Sequence, residues 1–323
     1  VSGARVLLRV RSGVKVGRGH LVRTTAVAEA LLELGARPLI LPDGAAEARE
    51  LSARGLEAVA LAAAPHWTSE PAVAAWLDGF VDWSDELRAL ARRGTPGYVV
   101  ENRTPCREFA RFVVHPNLDD RRDTWERVHA ARVLAGARWI PLTRAVREQA
   151  VTPRTLDLLV TFGGSDPLRS TERVLRALPA GLRVAVSVGA HMDERRTAIV
   201  DSARHLDACV LATGTPLAPW MARARLAVTA LGTTLYELAH LGTPALVLAN
   251  FPADRPVLER YAELGPFRSL GLAEELSEAE LARALARELA APPPAGRRLP
   301  GLGDGARALA EHLLAPAPSL RAA

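Results

Sequence analysis

Apolar residues along this chain fall into short runs of strand length, separated by stretches whose apolar positions recur at helical spacing. Leu7, Leu8 and Val10 fill one such run, and Val27, Ala30, Leu31 and Leu34 then recur at three, four and seven residues, the spacing of one helix face. The same alternation predicts strands at residues 5–10, 37–41, 79–82 and 98–101, joined by Ala/Leu/Arg-rich helices. It weakens over residues 145–153 and resumes with strands at residues 156–161, 182–188, 207–211, 226–230 and 245–249. Strands alternating with helices build parallel sheets, so the expectation is two Rossmann-like α/β domains. Residues 1–146 form the first, 147–154 a linker and 155–323 the second. Residues 272–291 read as helical, 296–305 as a loop, and 306–314 as a short terminal helix that packs back on the first domain.

Composition narrows the class without choosing a function. A chain of 323 residues that is 49% hydrophobic can bury two cores. No apolar run is long enough to span a bilayer, and the first residues lack the basic-apolar-small progression of a secretory signal, so a cytoplasmic location is expected. Cys106 and Cys209 are too few for a disulfide scaffold or a cysteine metal cluster, and ordinary packing is their expected role. The net charge of +5 favours acidic partners, but the arginines are spread along the chain. With neither a basic tail nor a recognition module, no nucleic-acid partner is expected.

Candidate chemistry begins at Gly17, Gly19, His20 and Arg23, where the first strand gives way to the first helix. An imidazole there stands at the carboxyl edge of a sheet, where open α/β proteins bind ligands, and it can take a proton near neutrality. Packing of His20 into the first helical turn is the plainer alternative. Asp82 and Glu101, near the ends of two predicted strands, are candidate ligands for sugar hydroxyls or residues of ordinary surface turns. In the second half, Gly163, Gly164, Ser165 and Asp166 follow a predicted strand and can form a turn that admits a phosphate or sugar; a merely structural turn is the alternative. Gly232, Thr233 and Thr234 lie between a strand and a helix, where free amides and hydroxyls can hold a diphosphate without a metal; a simple threonine cap is the alternative. Glu237, on the helix that follows, can accept hydrogen bonds from both ribose hydroxyls if it faces the same site; a solvent-exposed glutamate is the alternative. No HExxH and no clustered carboxylate or cysteine pattern calls for a metal, and no cofactor is expected.

The turn Gly17–His20 with Arg23, GGSDP at residues 163–167, GTTLYELAHLGTP at residues 232–244 and GARWIPL at residues 136–142 together resemble the PseG/SpsG-like nucleotide-sugar hydrolases. That family is related to the MurG-like glycosyltransferases of GT-B architecture, and the resemblance covers most of the chain. It implies a GT-B arrangement of the two α/β domains, His20 as catalytic base and Glu237 as ribose ligand. It further implies a diphosphate cradle at Gly232–Thr234 and attack with inversion on a UDP-linked sugar held between the domains. The nucleophile is water in a hydrolase and a sugar hydroxyl in a transferase; a protein that binds the nucleotide sugar without turnover is the third alternative. Two positions depart from the family pattern. Arg11 stands where close hydrolases carry aspartate after the first strand, and Asp254 and Arg255 stand where they carry an Asn-Gln pair, with Asn250 nearby as a further candidate ligand. Replacing an acid or amide by arginine changes both charge and hydrogen-bonding capacity.

Overall fold

The computed structural model describes residues 2–13, 18–118, 128, 132–164, 166–264, 267–291, 299 and 301–316. The chain divides into two units, Val1–Arg144 with Pro300–Ala323, and Ala145–Leu299.

The first unit runs β1 (Arg5–Val10), α1 (Gly19–Glu33), β2 (Arg37–Pro42), α2 (Ala45–Ala53), β3 (Ala74–Asp78), α3 (Ser84–Arg92), β4 (Gly97–Val100), β5 (Phe112–His115) and β6 (Val133–Ala135). α4 (Arg144–Arg147) spans the boundary. The strands form one parallel sheet in the order β2-β1-β3-β4-β5-β6. Successive strand residues face opposite sides, so Val6, Leu8 and Val10 enter one apolar layer with α1 while Leu7 enters another with α3. Both faces are covered, which is why these strands read as continuous apolar runs.

The second unit continues with β7 (Leu156–Thr161), α5 (Ser170–Ala177), β8 (Arg183–Val186), α6 (Arg196–Ser202), β9 (Asp207–Val210), α7 (Ala218–Arg223) and β10 (Ala224–Thr229). It ends with α8 (Thr233–His240), β11 (Ala245–Ala249), α9 (Arg255–Leu264), β12 (Phe267–Leu272) and α10 (Glu278–Ala290). Its parallel sheet has the order β12-β11-β10-β7-β8-β9. Leu158, Val160, Leu246 and Leu248 from the sheet pack with Val174, Leu175, Leu281 and Leu285 from helices.

The last helix, α11 (Gly305–Leu314), belongs to the first unit, where Ala306, Leu309, Ala310 and Leu313 join the layer around α1. Tyr98 on β4 donates its hydroxyl to the His312 carbonyl at 3.1 Å, fastening the helix to the sheet.

Several elements differ from the pattern reading. The strand expected at residues 79–82 lies at Ala74–Asp78, where two alanines weaken the apolar signal but Gly79 marks the strand's true end. β5 and β6 are only four and three residues long, too short for periodicity to register. Leu272, expected to open a helix, instead closes β12, and α10 starts at Glu278 after a Ser277 cap with Glu280. Of the loop expected at 296–305, residues 296–298 and 300 lie outside the described residues, and Gly305 already opens the last helix. Cys106 is buried as expected, but Cys209 is exposed, because the outer strand β9 is only partly covered.

Candidate active site

In each unit the sheet reverses its direction of growth at one point, where an open α/β sheet leaves a crevice. In the first unit β1 is followed outward by β2 on one side and β3 on the other, so the connections leaving the carboxyl ends of β1 and β3 run to opposite faces and leave a crevice. His20 and Arg23 come from the first turn of α1, after β1, and Asp78 closes β3. Their side chains meet there, buried. His20 Nδ1 lies 2.6 Å from Asp78 Oδ1, and Arg23 forks onto the same carboxylate, with Nε 2.6 Å from Oδ2 and Nη2 2.7 Å from Oδ1. Thr24 adds a weaker contact at 3.4 Å and accepts the Trp76 indole N–H at 3.2 Å.

Burial pushes the Asp78 carboxyl up, but the charge and hydrogen bonds of Arg23, reinforced by His20, hold it below the usual aspartate range. Asp78 is therefore a carboxylate and can only accept. The proton on His20 then sits on Nδ1, and Nε2 carries the lone pair. Arg23 Nη2, 2.9 Å from Nδ1, donates to the same Asp78 oxygen, so two donors converge on one acceptor. The Phe80 ring packs edge-to-face on the imidazole with centroids 4.7 Å apart. The arrangement is a histidine imidazole oriented by a buried carboxylate.

Arg23 also pairs with Glu101, which follows β4 in the left-handed region at φ +47°. A non-glycine residue rarely adopts that conformation without cause; here the turn aims the carboxylate at Arg23. Burial opposes the Arg23 charge, and Asp78 and Glu101 more than offset it, raising its pKa. Of the residues singled out in this half, His20, Arg23 and Glu101 thus come together around Asp78. Asp82 does not join them: it is exposed and accepts from the Ser84 amide at 3.1 Å and hydroxyl at 2.6 Å at the start of α3. Gly19 opens α1, and Gly17 lies outside the described residues. Pattern reading missed Asp78 because the strand was placed too late; the signal was an aspartate directly before a glycine at the end of an apolar run.

The second unit reverses between β7 and β10, and the two glycine turns follow these strands. Gly163 takes φ +76°, and a Cβ at Gly189 would stand 2.3 Å from the Gly163 carbonyl oxygen, so the backbones pack as only glycine allows. Ser165 lies outside the described residues. Asp166, buried, accepts from the Ser170 and Thr171 amides at 2.8 and 2.9 Å and pairs with Arg195, which also binds Glu172. It caps α5. Across the switch point, Gly232 is the N-cap of α8 and offers no side chain to the helix amides, while Thr233 and Thr234 form the first turn. Glu237 is four residues beyond Thr233 and three beyond Thr234, hence on the same side of the helix. Burial raises its carboxyl to about 7, and no described residue offers it an ion pair or hydrogen bond.

The late candidates separate. Asn250 ends next to β11 with its Oδ1 buried and without a partner among the described residues. Asp254 accepts the Phe251 amide at 3.1 Å, and Arg255 is exposed and paired with Glu275 at 2.5 Å, so both are engaged locally. Among the described residues, no group of three or more His, Cys, Asp or Glu side chains is placed to hold a metal ion, and no helix is long and apolar enough to cross a membrane.

No protein-family model matches this chain, and no curated protein matches it in sequence. Solved structures do match. MurG of Acinetobacter baumannii is 17% identical with a TM-score of 0.60, over 94% of this chain and 95% of that one. A UDP-N-acetylglucosamine 2-epimerase is 12% identical with a TM-score of 0.64, over 97% and 96%. The glycotransferase of kitacinnamycin is 16% identical with a TM-score of 0.62, over 98% and 100%. The likeness runs the length of the chain and defines its fold class: the GT-B architecture of two Rossmann-like α/β domains.

Proposed function

We propose that this chain is an inverting glycosyltransferase that moves a sugar from a nucleotide diphosphate donor, UDP-linked in our reading, to a hydroxyl acceptor. The observation that carries the proposal is the His20–Asp78 pair at the carboxyl edge of the first sheet. His20 Nε2 takes the acceptor O–H proton as that oxygen attacks the anomeric carbon, while Asp78 stabilises the imidazolium that forms. The bond from the anomeric carbon to the donor phosphate breaks, and its electron pair leaves on the nucleoside diphosphate. That charge is met by the first-turn amides and hydroxyls of α8 at Thr233 and Thr234, with Glu237 accepting from the ribose hydroxyls. A carboxyl raised by burial and without a partner among the described residues is the kind of group a binding site retains at a cost in stability.

Hydrolysis is the second reading, favoured by the resemblance of the His20 turn and of the segments at 163–167 and 232–244 to nucleotide-sugar hydrolases. The chemistry differs only in whether water supplies the O–H. Purified protein offered UDP-, CMP- and other nucleotide sugars, with nucleotide release followed with and without sugar and aglycone acceptors, separates the readings. Acceptor-dependent release supports transfer, release in water alone supports hydrolysis, and binding without release defeats both.

A further inference from the structure

Asp43, just beyond β2, carries two guanidinium groups on one carboxylate. Arg9 is buried and both of its terminal nitrogens are engaged: it pairs with Asp43 and donates to the Leu41 carbonyl at 2.9 Å and to the Val10 carbonyl at 2.6 Å. Arg11 is different. Its Nε donates to Asp43 Oδ2 at 2.7 Å, its side chain is 37% exposed, and its Nη1 and Nη2 have no hydrogen bond or ion pair to another described residue. One carboxylate against two arginines leaves one positive charge in excess, and the open donors of that cluster are those of Arg11.

The position of Arg11 ties this charge to the base. Its amide donates to the Asp78 carbonyl at 2.8 Å, so its backbone is bonded to the residue that orients His20. Its stem crosses Gly79, where a Cβ would stand 2.3 Å from Arg11 Cγ; any larger residue at 79 would displace it. The side chain therefore lies over the carboxyl edge of β1, from the β3 side to the β2 side, at the switch point where the first unit offers a crevice. Anchoring through Nε presents the two remaining nitrogens as a planar pair, the geometry that matches a carboxylate or phosphate.

We infer that Arg11 is a specificity residue that selects a carboxylate- or phosphate-bearing sugar or acceptor beside His20. The inference rests on the reading of this chain as a nucleotide-sugar enzyme for the role it assigns, while the anion site itself stands on the Arg11 geometry. A flexible ammonium would supply charge without the fork, and a neutral amide would supply neither.

Two pairs of probes test it: free D-glucuronate against D-glucose, and UDP-glucuronate against UDP-glucose, titrated by calorimetry into wild-type, Arg11→Gln and Arg11→Lys protein, with the His20 imidazole followed by NMR. The acid member of at least one pair should bind the wild type about tenfold more tightly than its neutral counterpart, the gap should close in Arg11→Gln, and Arg11→Lys should keep only part of it. Unchanged binding of the neutral probes shows that the variants are folded. Preference in the free pair alone, with no UDP-sugar bound, supports the anion site and removes the nucleotide-sugar reading; equal binding within both pairs keeps that reading possible and overturns the inference. No binding of any probe, or a preference that survives in Arg11→Gln, also overturns it.

Discussion

Arg23 and Asp78 face each other as a buried two-point fork, with both carboxylate oxygens within 2.7 Å of a guanidinium nitrogen. Because the same carboxylate holds His20, this ion pair joins the stability of the first unit to the orientation of its base. Breaking a buried pair from one side leaves an uncompensated charge and costs about 3–5 kcal/mol. Asp78→Asn should therefore lower unfolding free energy by that order in urea titration and, in the fraction that remains folded, lower single-turnover rate by roughly 100- to 10,000-fold, since an amide no longer enforces the Nδ1–H form. A folded variant with an unaltered rate would remove Asp78 from the mechanism.

His20→Asn should separate catalysis from binding. Asparagine keeps polar size without a neutral-pH base, so turnover should fall by about 100- to 10,000-fold while donor affinity and melting temperature stay near those of the wild type. If His20 only packs the first turn of α1, melting temperature will fall and the rate in folded protein will hold.

Glu237 should show a conflict between stability and binding. Its carboxyl is raised by burial to about 7 from its ordinary value of 4.5, so between these values the folded protein holds a proton that the unfolded chain has released. Stability is thus greatest below the unfolded value and declines as pH rises from there through about 7, by roughly 3 kcal/mol at most. Glu237→Gln should abolish this decline and make the ligand-free protein more stable than wild type at pH 8. It should also weaken nucleotide binding by about 1–3 kcal/mol, with a smaller penalty for a deoxyribose analogue. Equal losses for ribose and deoxyribose ligands, measured by calorimetry, would dissociate Glu237 from the ribose.

Asp166 is expected to behave as a structural residue. Asp166→Ala removes the acceptor of two α5 amides and one partner of Arg195, which should reduce stability by about 2–4 kcal/mol. Nucleotide affinity of the folded variant should change little. Lost binding at undiminished stability would instead make the turn at 163–167 part of the ligand site.

Local pattern carried the architecture a long way. Fully buried parallel strands are short apolar runs, and their helices keep a regular stripe, so β1, β7 and β11 were legible to the residue and the two α/β halves followed. The His20 turn and the α8 start were legible for the same reason: glycines before a helix mark where a backbone leaves a strand. What periodicity could not give was which strands are neighbours, since that depends on contacts between residues far apart in the chain. The pairing of β1 with β3 brings Asp78 to His20 across 58 positions, and no local signal links an aspartate after an alanine-rich run to a histidine on another element. The same dependence decided the arginines. In the chain, Arg9, Arg11 and Arg23 are three similar basic residues; the fold buries Arg9 on Asp43 and Arg23 on Asp78 and leaves Arg11 at the sheet edge with donors that meet no other described residue, because only the tertiary arrangement determines which carboxylate each charge can reach.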